Sequence, residues 1–417
     1  ILQGLTKSAA RIDHPTDAPA KVAEAFRQLR TGRPRPVALE MPLDQLAEAC
    51  SVDLLDAATD HARPPVDEDA LAKAAKLLAG AKAPMIFVGS GAVDSGEAIQ
   101  ALAEMLQAPV IANRTGRGIV SHRHYLSMMH LEGHRLWADA DVVLAIGSRL
   151  QPARMNWGTD DNLKIIHVDI DPVEIKRIAA PDVALVGDAQ DIVPALVDAV
   201  GKQAPSRASR EDELVTLQGE VHKMLLDRLG PQMSWIKVIR EALDDDGIFV
   251  DELTQVGYVS RVAMPVYQPR KYLSSAYQGT LGCGLGVAIG AKIANPERQV
   301  LSINGDGGFM YNVQELATAA KYNVNVVAIV FADGAFGNVR RMQEELYDGR
   351  TIASDLHNPD FVKMAESFGC AAYRAESPDE LAKVLPTAFK QSGPAVIEVP
   401  FPKTPDPWPI IIPGRNR

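Results

Sequence analysis

Two hydrophobic periods alternate along this chain. Beyond residue 67, short runs of consecutive apolar residues at 85–88, 110–112, 142–146, 165–168 and 184–186 are separated by stretches with a helical repeat. A continuous apolar run of a few residues bounded by turn residues predicts a strand buried on both faces. The longer period predicts the helices that cross back over such strands. Among them are 97–106 and 192–200, where Ile192, Val193, Leu196 and Val200 share one face. Strand and helix in strict alternation predict a doubly wound α/β domain over 68–201. Residues 201–212, with Pro205, two serines and several charges, read as a linker. The alternation resumes from about 230 in a second α/β domain, bounded at 213–417, with strands at 248–250, 300–303, 326–331, 371–373 and 396–399. Ser377 and Glu380 have capping-box spacing and predict a helix to about Lys390. The proline-rich tail from Pro400 reads as an arm lying over a neighbouring surface.

The first 57 residues have a different character. Val22, Ala25, Phe26 and Leu29 predict an amphipathic helix stopped by Gly32, and Val37 to Met41 predict a short buried strand. One helix and one strand cannot bury a core of their own. The segment therefore reads as the remnant of a further α/β domain, tied to the next by a linker at 58–67 containing Pro64 and Pro65.

Composition narrows the class of partner. A net charge of −10 argues against nucleic acid or an anionic membrane as the main partner, and no apolar run is long enough to span a bilayer. The three cysteines, Cys50, Cys283 and Cys370, are far apart and lack metal-site spacing. They read as reduced thiols of a cytoplasmic protein. A chain starting at Ile1, with no signal peptide before it, reads as a piece of something longer.

The chemistry concentrates in residues 300–341. The apolar run at 300–303 ends in Gly305-Asp306-Gly307-Gly308, and Asn312 with Glu315 has the spacing of a capping box opening a helix. A second apolar run, 326–331, ends at Asp333. Parallel strands joined by a helical crossover carry their C-terminal ends on the same sheet edge, so Asp306 and Asp333 should enter one crevice. Two oxygen ligands, glycines that admit backbone N–H groups and a helix N-terminus suit a Mg²⁺-bound diphosphate.

This stretch resembles the metal–diphosphate motif of thiamine-diphosphate enzymes, and the run Asn312 to Ala319 is similar to their acetolactate synthase-like branch. The resemblance implies a metal held by Asp306, Asp333 and the carbonyl of Ala335, with Asp333 standing where the family usually has Asn. It implies diphosphate contacts from Gly307, Gly308 and the turn Thr254-Gln255-Val256-Gly257. In the segment Gly279-Thr280-Leu281-Gly282, the Gly279 carbonyl would meet the pyrimidine amino group and Leu281 would prop the cofactor into its bent form. Asn338 and Met342 fall at substrate-pocket positions that carry Met and Trp in acetolactate synthases. Arg340 and Arg341, also pocket candidates, could receive a carboxylate, although such a pair is more often a solvated helix face.

The residues at 1–57 resemble the end of the family's N-terminal pyrimidine-binding domain, of which on the order of 150 residues would then be missing. The catalytic Glu of the family lies in that part, and no residue here matches it. The central domain's Gly147-Ser148-Arg149, Asp169-Ile170-Asp171-Pro172 and Gly187-Asp188-Ala189 resemble segments lining the FAD site of acetolactate synthases. Flavin-free relatives keep similar segments, which leaves FAD open. Gly89, Gly91 and Gly96 do not form a dinucleotide fingerprint and read as turn glycines.

The resemblance implies decarboxylation or ligation of small 2-oxo acids through a cofactor-bound enamine, in a homodimer or homotetramer. Three alternatives stay open: a C–C hydrolase or lyase on a 1,2-dione or 2-hydroxy ketone, a silent cofactor-binding subunit borrowing its Glu from another chain, and a nicotinamide-binding protein.

Overall fold

The computed structural model describes residues 1–56, 63–275 and 278–417. Residues 58–62 of the expected linker lie outside the described residues, as do residues 57, 276 and 277. Among the described residues fourteen strands form: β1 Ser8–Arg11, β2 Val37–Glu40, β3 Pro84–Val88, β4 Val110–Ala112, β5 Ser127–Met128, β6 Val142–Ile146 and β7 Lys164–Asp169. They continue with β8 Val183–Val186, β9 Ile248–Val250, β10 Tyr272–Leu273, β11 Val300–Gly305, β12 Val327–Ala332, β13 Ala371–Arg374 and β14 Ala395–Pro400.

The central sheet has the order β5-β4-β3-β6-β7-β8 and the third the order β10-β9-β11-β12-β14-β13, all strands parallel. In the third sheet the apolar runs sort by parity. Leu301, Ile303, Val327, Ile329 and Phe331 pack on one face with the helices at 211–242 and Gln255–Ala263. Val300, Val326, Ala328 and Val330 pack on the other with Leu285, Leu316 and Phe361. Helices on both faces explain why these strands read as unbroken apolar runs.

The two doubly wound domains stand as expected. β5 and β10 are two-residue edge strands, too short to leave a hydrophobic signature. β1 was also not foreseen. It pairs in parallel with β2, and β2 is half-buried to exposed rather than buried. The helix Ala18–Arg30 forms as expected, but Val22 and Phe26 on its apolar face remain exposed. Arg33 and Arg35, just beyond it, pin the segment to the central domain through Glu174, a buried carboxylate that Arg149 and Arg177 also approach. Burial would raise the Glu174 carboxyl, but hydrogen bonds from Arg177 and Arg149 overcome it and hold it down at about 2.

The expected bound at 213 and the expected return of alternation near 230 both fall inside one long helical stretch. It begins at Glu211 and continues to Ala242, broken only at Leu229, two residues before Pro231. Leu214 joins the core of the central domain, while Val221, Leu225 and Leu229 join that of the third. This helix therefore ties the two cores together. A buried arginine adds to the docking. Arg117 of the central domain donates to the carbonyls of Ser260 (2.9 Å) and Met264 and lies 4.4 Å over the Tyr272 ring. The tail is an arm as expected: Asn416 and Arg417 donate to backbone carbonyls of the central domain at His134, Trp137, Ala140 and Trp157.

Candidate active site

The register of β11 on β12 pairs Gly305 with Phe331, so both strands end level on one edge. Asp306 leaves β11 there and is 1 % exposed. Its Oδ1 accepts the Gly307 N–H at 2.8 Å; its Oδ2 accepts the Gly334 N–H at 2.7 Å and the Asn358 amide at 2.7 Å. Asp306 thus ties together the ends of β11 and β12 and the loop at 354–360. Asp333 comes into the same crevice, open to solvent at its mouth. Protein packed on its inner flank, and after that the charge of Asp306, push its carboxyl up to about 6. Two carboxylates brought this close repel each other unless a cation or a proton lies between them. The N–H of Ala335 faces Asp333 Oδ1 at 3.3 Å, which puts the third expected ligand on the same turn.

Two local expectations fail here. Gly305 to Gly308 is not a plain turn: Asp306–Phe309 is a single helical turn that starts directly at the strand end. The capping box at Asn312 does not form. The next helix is Glu315–Lys321, which has no side-chain cap: the Asn312 NH₂ donates to the Gly282 carbonyl at 2.7 Å, which turns the side chain away, and its oxygen faces the Gln314 amide at 3.4 Å. That bond joins the diphosphate turn to the expected pyrimidine segment, 30 residues away in the chain.

Two of the other expected segments border these turns: a Cβ on Gly305 would lie 3.6 Å from Thr254, and one on Gly282 would lie 3.2 Å from the Gly308 carbonyl. Thr254 precedes the helix Gln255–Ala263 without a side-chain cap bond, and the buried Gln255 side-chain oxygen has no partner among the described residues. Val256 differs: its side chain is fully buried in the apolar core, so only its backbone is left to face a ligand. Gly279 (φ +62°) and Gly282 (φ +81°) adopt the left-handed backbone, and Leu281 between them is half-buried. Gly307 has no room for a side chain, since a Cβ would lie 2.4 Å from the Phe336 ring. Asn338 and Met342 lie on the exposed helix Gly337–Leu346. There Asn338 accepts from Arg341, which also pairs with Glu345, and Arg340 pairs with Glu344 and Asp355. Both arginines are thereby occupied by neighbouring side chains, as the solvated-face reading expected.

Two residues escaped the sequence reading. Asn358 carries no local signal, since its partner is 52 positions away. Glu252 is fully buried where β9 ends, and its two oxygens accept the N–H groups of Gly282 (2.7 Å) and Gly284 (3.0 Å). Asp251 turns the other way, accepting from Arg261 at 2.7 Å and the Tyr272 hydroxyl at 3.1 Å. Adjacent acids on opposite faces follow from strand alternation, a signal present in the sequence.

A cavity of about 1580 Å³ lies at the strand ends of the central sheet, bounded also by Arg33 and Pro34 and by Tyr258, Arg261 and Val262 of the third domain. Gly89 to Gly91, Gly147 to Arg149, Asp169, Ile170 and Gly187 to Ala189 all line it, so the dispersed segments singled out in the sequence converge. The glycines are close-approach positions. A Cβ on Gly89 would meet the Gly147 carbonyl at 2.3 Å, and one on Gly91 would meet its Cα at 2.8 Å. Trp157 and Trp408 also line the cavity, and the buried Nε1 of each lacks a hydrogen-bond partner among the described residues.

Two parallel sheets with a carboxylate-and-glycine crevice at the strand ends suit a phosphate-bearing ligand. Comparison with known proteins names the class. Residues 71–196 match the family model "Thiamine pyrophosphate enzyme, central domain", and residues 254–399 match "Thiamine pyrophosphate enzyme, C-terminal TPP binding domain". The acetolactate synthase isozyme 1 large subunit of Escherichia coli is 29% identical, over 98% of this chain and 75% of its own length. A probable 2-ketoarginine decarboxylase of Pseudomonas aeruginosa is 33% identical, over 95% and 72%. The acetolactate synthase large subunit of Corynebacterium glutamicum is 32% identical, over 100% and 70%. The chain belongs to the acetolactate synthase-like family of thiamine-diphosphate-dependent enzymes, and is an enzyme of the lyase/transferase type.

Proposed function

We propose that the protein is a Mg²⁺- and thiamine-diphosphate-dependent decarboxylase or carboligase of small 2-oxo acids. The observation that carries this reading is the meeting of Asp306 and Asp333 beside glycine backbone, at the level ends of β11 and β12. The donors fit the group. They are hard oxygens suited to Mg²⁺, and the partnerless oxygens of Gln255 and Ser354 lie in segments that border the crevice. Asp306, Asp333 and the Ala335 carbonyl would hold the metal, with Gly307, Gly308 and the turn from Thr254 to Val256 on the diphosphate. When bound, thiamine diphosphate supplies the nucleophile and electron sink for breaking or making a bond beside a carbonyl. Asp306 would hold the metal rigidly, the Gly279–Gly282 segment would face the cofactor's other end, and Asn338 and Met342 would lie at the substrate side.

The relatives are acetolactate synthases and a probable 2-ketoarginine decarboxylase, which supports a 2-oxo acid as substrate. The test is turnover of a panel of 2-oxo acids and 1,2-diones by the protein supplied with thiamine diphosphate and Mg²⁺. Release of CO₂ from a 2-oxo acid supports the reading. Cleavage of a 1,2-dione alone would favour the hydrolase reading. Cofactor binding without turnover would favour a subunit that needs a Glu from another chain, and NAD binding without thiamine diphosphate binding would sink both.

The central cavity supports FAD as a second ligand. Its size, its close-packed glycine turns and its two partnerless indole N–H groups suit a dinucleotide with acceptor atoms on its ring. A yellow purified protein with a flavin absorption band is the expected result. A homodimer or homotetramer is supported by the apolar surface beside the crevice, where Met310, Tyr311, Val339 and Met342 are exposed. Light scattering in solution tests it.

A further inference from the structure

We propose that Glu252 is a positioning residue that sets the Gly279–Gly282 segment for the pyrimidine end of the cofactor. The inference rests on the reading of that segment given above and adds the group that holds it in place. Glu252 is the only side chain among the described residues that hydrogen-bonds the backbone N–H groups of both Gly282 and Gly284. These N–H groups open the helix Cys283–Ala294, whose cap residue, Gly282, has no side chain to satisfy them. A carboxylate delivered from the end of β9 supplies the missing acceptors, with both oxygens used at once.

The carboxylate has no room to turn. A Cβ on Gly308 would lie 1.9 Å from its Oε1, and one on Gly284 would lie 2.7 Å from its Oε2. Glu252 is thus wedged between the first turn of the helix Cys283–Ala294 and the last glycine of the Asp306 turn. Asn312 completes the frame from the opposite side by donating to the Gly282 carbonyl. Gly282 is therefore held at its N–H by Glu252 and at its carbonyl by Asn312. The left-handed Gly279 and the side chain of Leu281 project from that clamped point. Glutamine is isosteric but cannot replace the acid: one of its two end groups is an NH₂, which would face an N–H.

The discriminating measurement compares two ligands on one variant. Thiamine diphosphate reaches both the metal turn and the Gly279–Gly282 segment, whereas inorganic diphosphate with Mg²⁺ reaches only the metal turn. By calorimetry, Glu252→Gln is expected to weaken thiamine diphosphate about 30-fold, the loss of one charge-assisted pair of hydrogen bonds, and to shift inorganic diphosphate less than about threefold. Hydrogen exchange at the Gly282 and Gly284 amides should speed up in the same variant. Equal affinities for thiamine diphosphate in wild type and variant would overturn the inference, and so would equal weakening of both ligands, which marks a general structural role. Should the variant not fold, Glu252→Asp keeps the charge but shortens its reach and is expected to lose about tenfold in thiamine diphosphate affinity alone; an unchanged affinity would again overturn the inference. A wild-type protein that bound inorganic diphosphate but not thiamine diphosphate would remove the cofactor reading, and Glu252's role with it.

Discussion

The central and third domains are built on the same plan and hold opposite chemistry. Each is a six-stranded parallel sheet with its ligand-facing groups beyond the strand ends, where loops diverge to either face. At the central sheet that edge opens into a large cavity lined by its glycine backbone, Trp157, Arg114 and Arg149, with Asp94, Asp169 and Asp188, and closed by Tyr258, Arg261 and Trp408 of the third domain. In the third domain it closes on two aspartates, the buried Glu252 and a frame of hydrogen bonds between distant loops. The sheets supply the edge and its glycines supply close approach. Under the proposed function, a phosphate would be met by arginines at the first edge and through a metal at the second.

The contrast predicts effects that stay within their own domain. The largest should come from Asp306→Ala, which removes the acceptor of three hydrogen bonds as well as a metal oxygen. Mg²⁺-dependent thiamine diphosphate binding is expected to disappear, whereas Asp333→Asn, an oxygen ligand still, should keep it. Calorimetric titration of the two variants checks this, and normal binding by Asp306→Ala would break the assignment. Trp157→Ala should act on the other domain. Trp157 packs against Phe87, Trp137 and two histidine rings, and its loss should cost about 3–5 kcal/mol in denaturant unfolding. Thiamine diphosphate affinity measured well below the melting temperature should change little.

Next in size is a pH effect at the seam. Glu132 of the central domain is buried, and desolvation pushes its carboxyl up to about 7 despite Arg117 nearby. Its folded value lies above its unfolded value of about 4.5, so the folded state binds the proton more tightly. That contribution to stability is fully present below pH 4.5 and is lost as pH rises through 7. Glu132→Gln should therefore remove up to about 3 kcal/mol of pH dependence between those limits. Urea unfolding of both proteins across that range measures it, and parallel pH profiles would contradict the placement. The smallest effect is expected from Arg340→Ala. It breaks exposed pairs with Glu344 and Asp355 and should shift unfolding by less than about 1 kcal/mol.

What was legible in the sequence follows from which interactions are local. The long strands were readable because both faces are covered, which makes most of their residues apolar, and β4, β6 and β9 end where the apolar runs end. β5 and β10 are edge strands of two residues, and β1 is short with half its residues exposed, so none carries a pattern. Asp306 and Asp333 were readable because one crossover separates them and the register of parallel strands brings their ends level. The Asn312 capping box failed because donation from its NH₂ to the distant Gly282 carbonyl turns the side chain, and with it the oxygen that would cap, away from the helix.

The sequence alone determined the two α/β domains, the alternation that makes their sheets parallel, and the acidic, glycine-rich strand ends that meet in one crevice. Only the tertiary structure decided which polar groups clamp that crevice. Glu252, Asn358 and Asn312 act across separations of 30 to 52 residues, through hydrogen bonds whose partners are backbone groups or a single carboxylate. Backbone N–H and carbonyl groups are the same at every position of the chain. No residue pattern can announce which of them a buried side chain will meet until the strands and loops are packed.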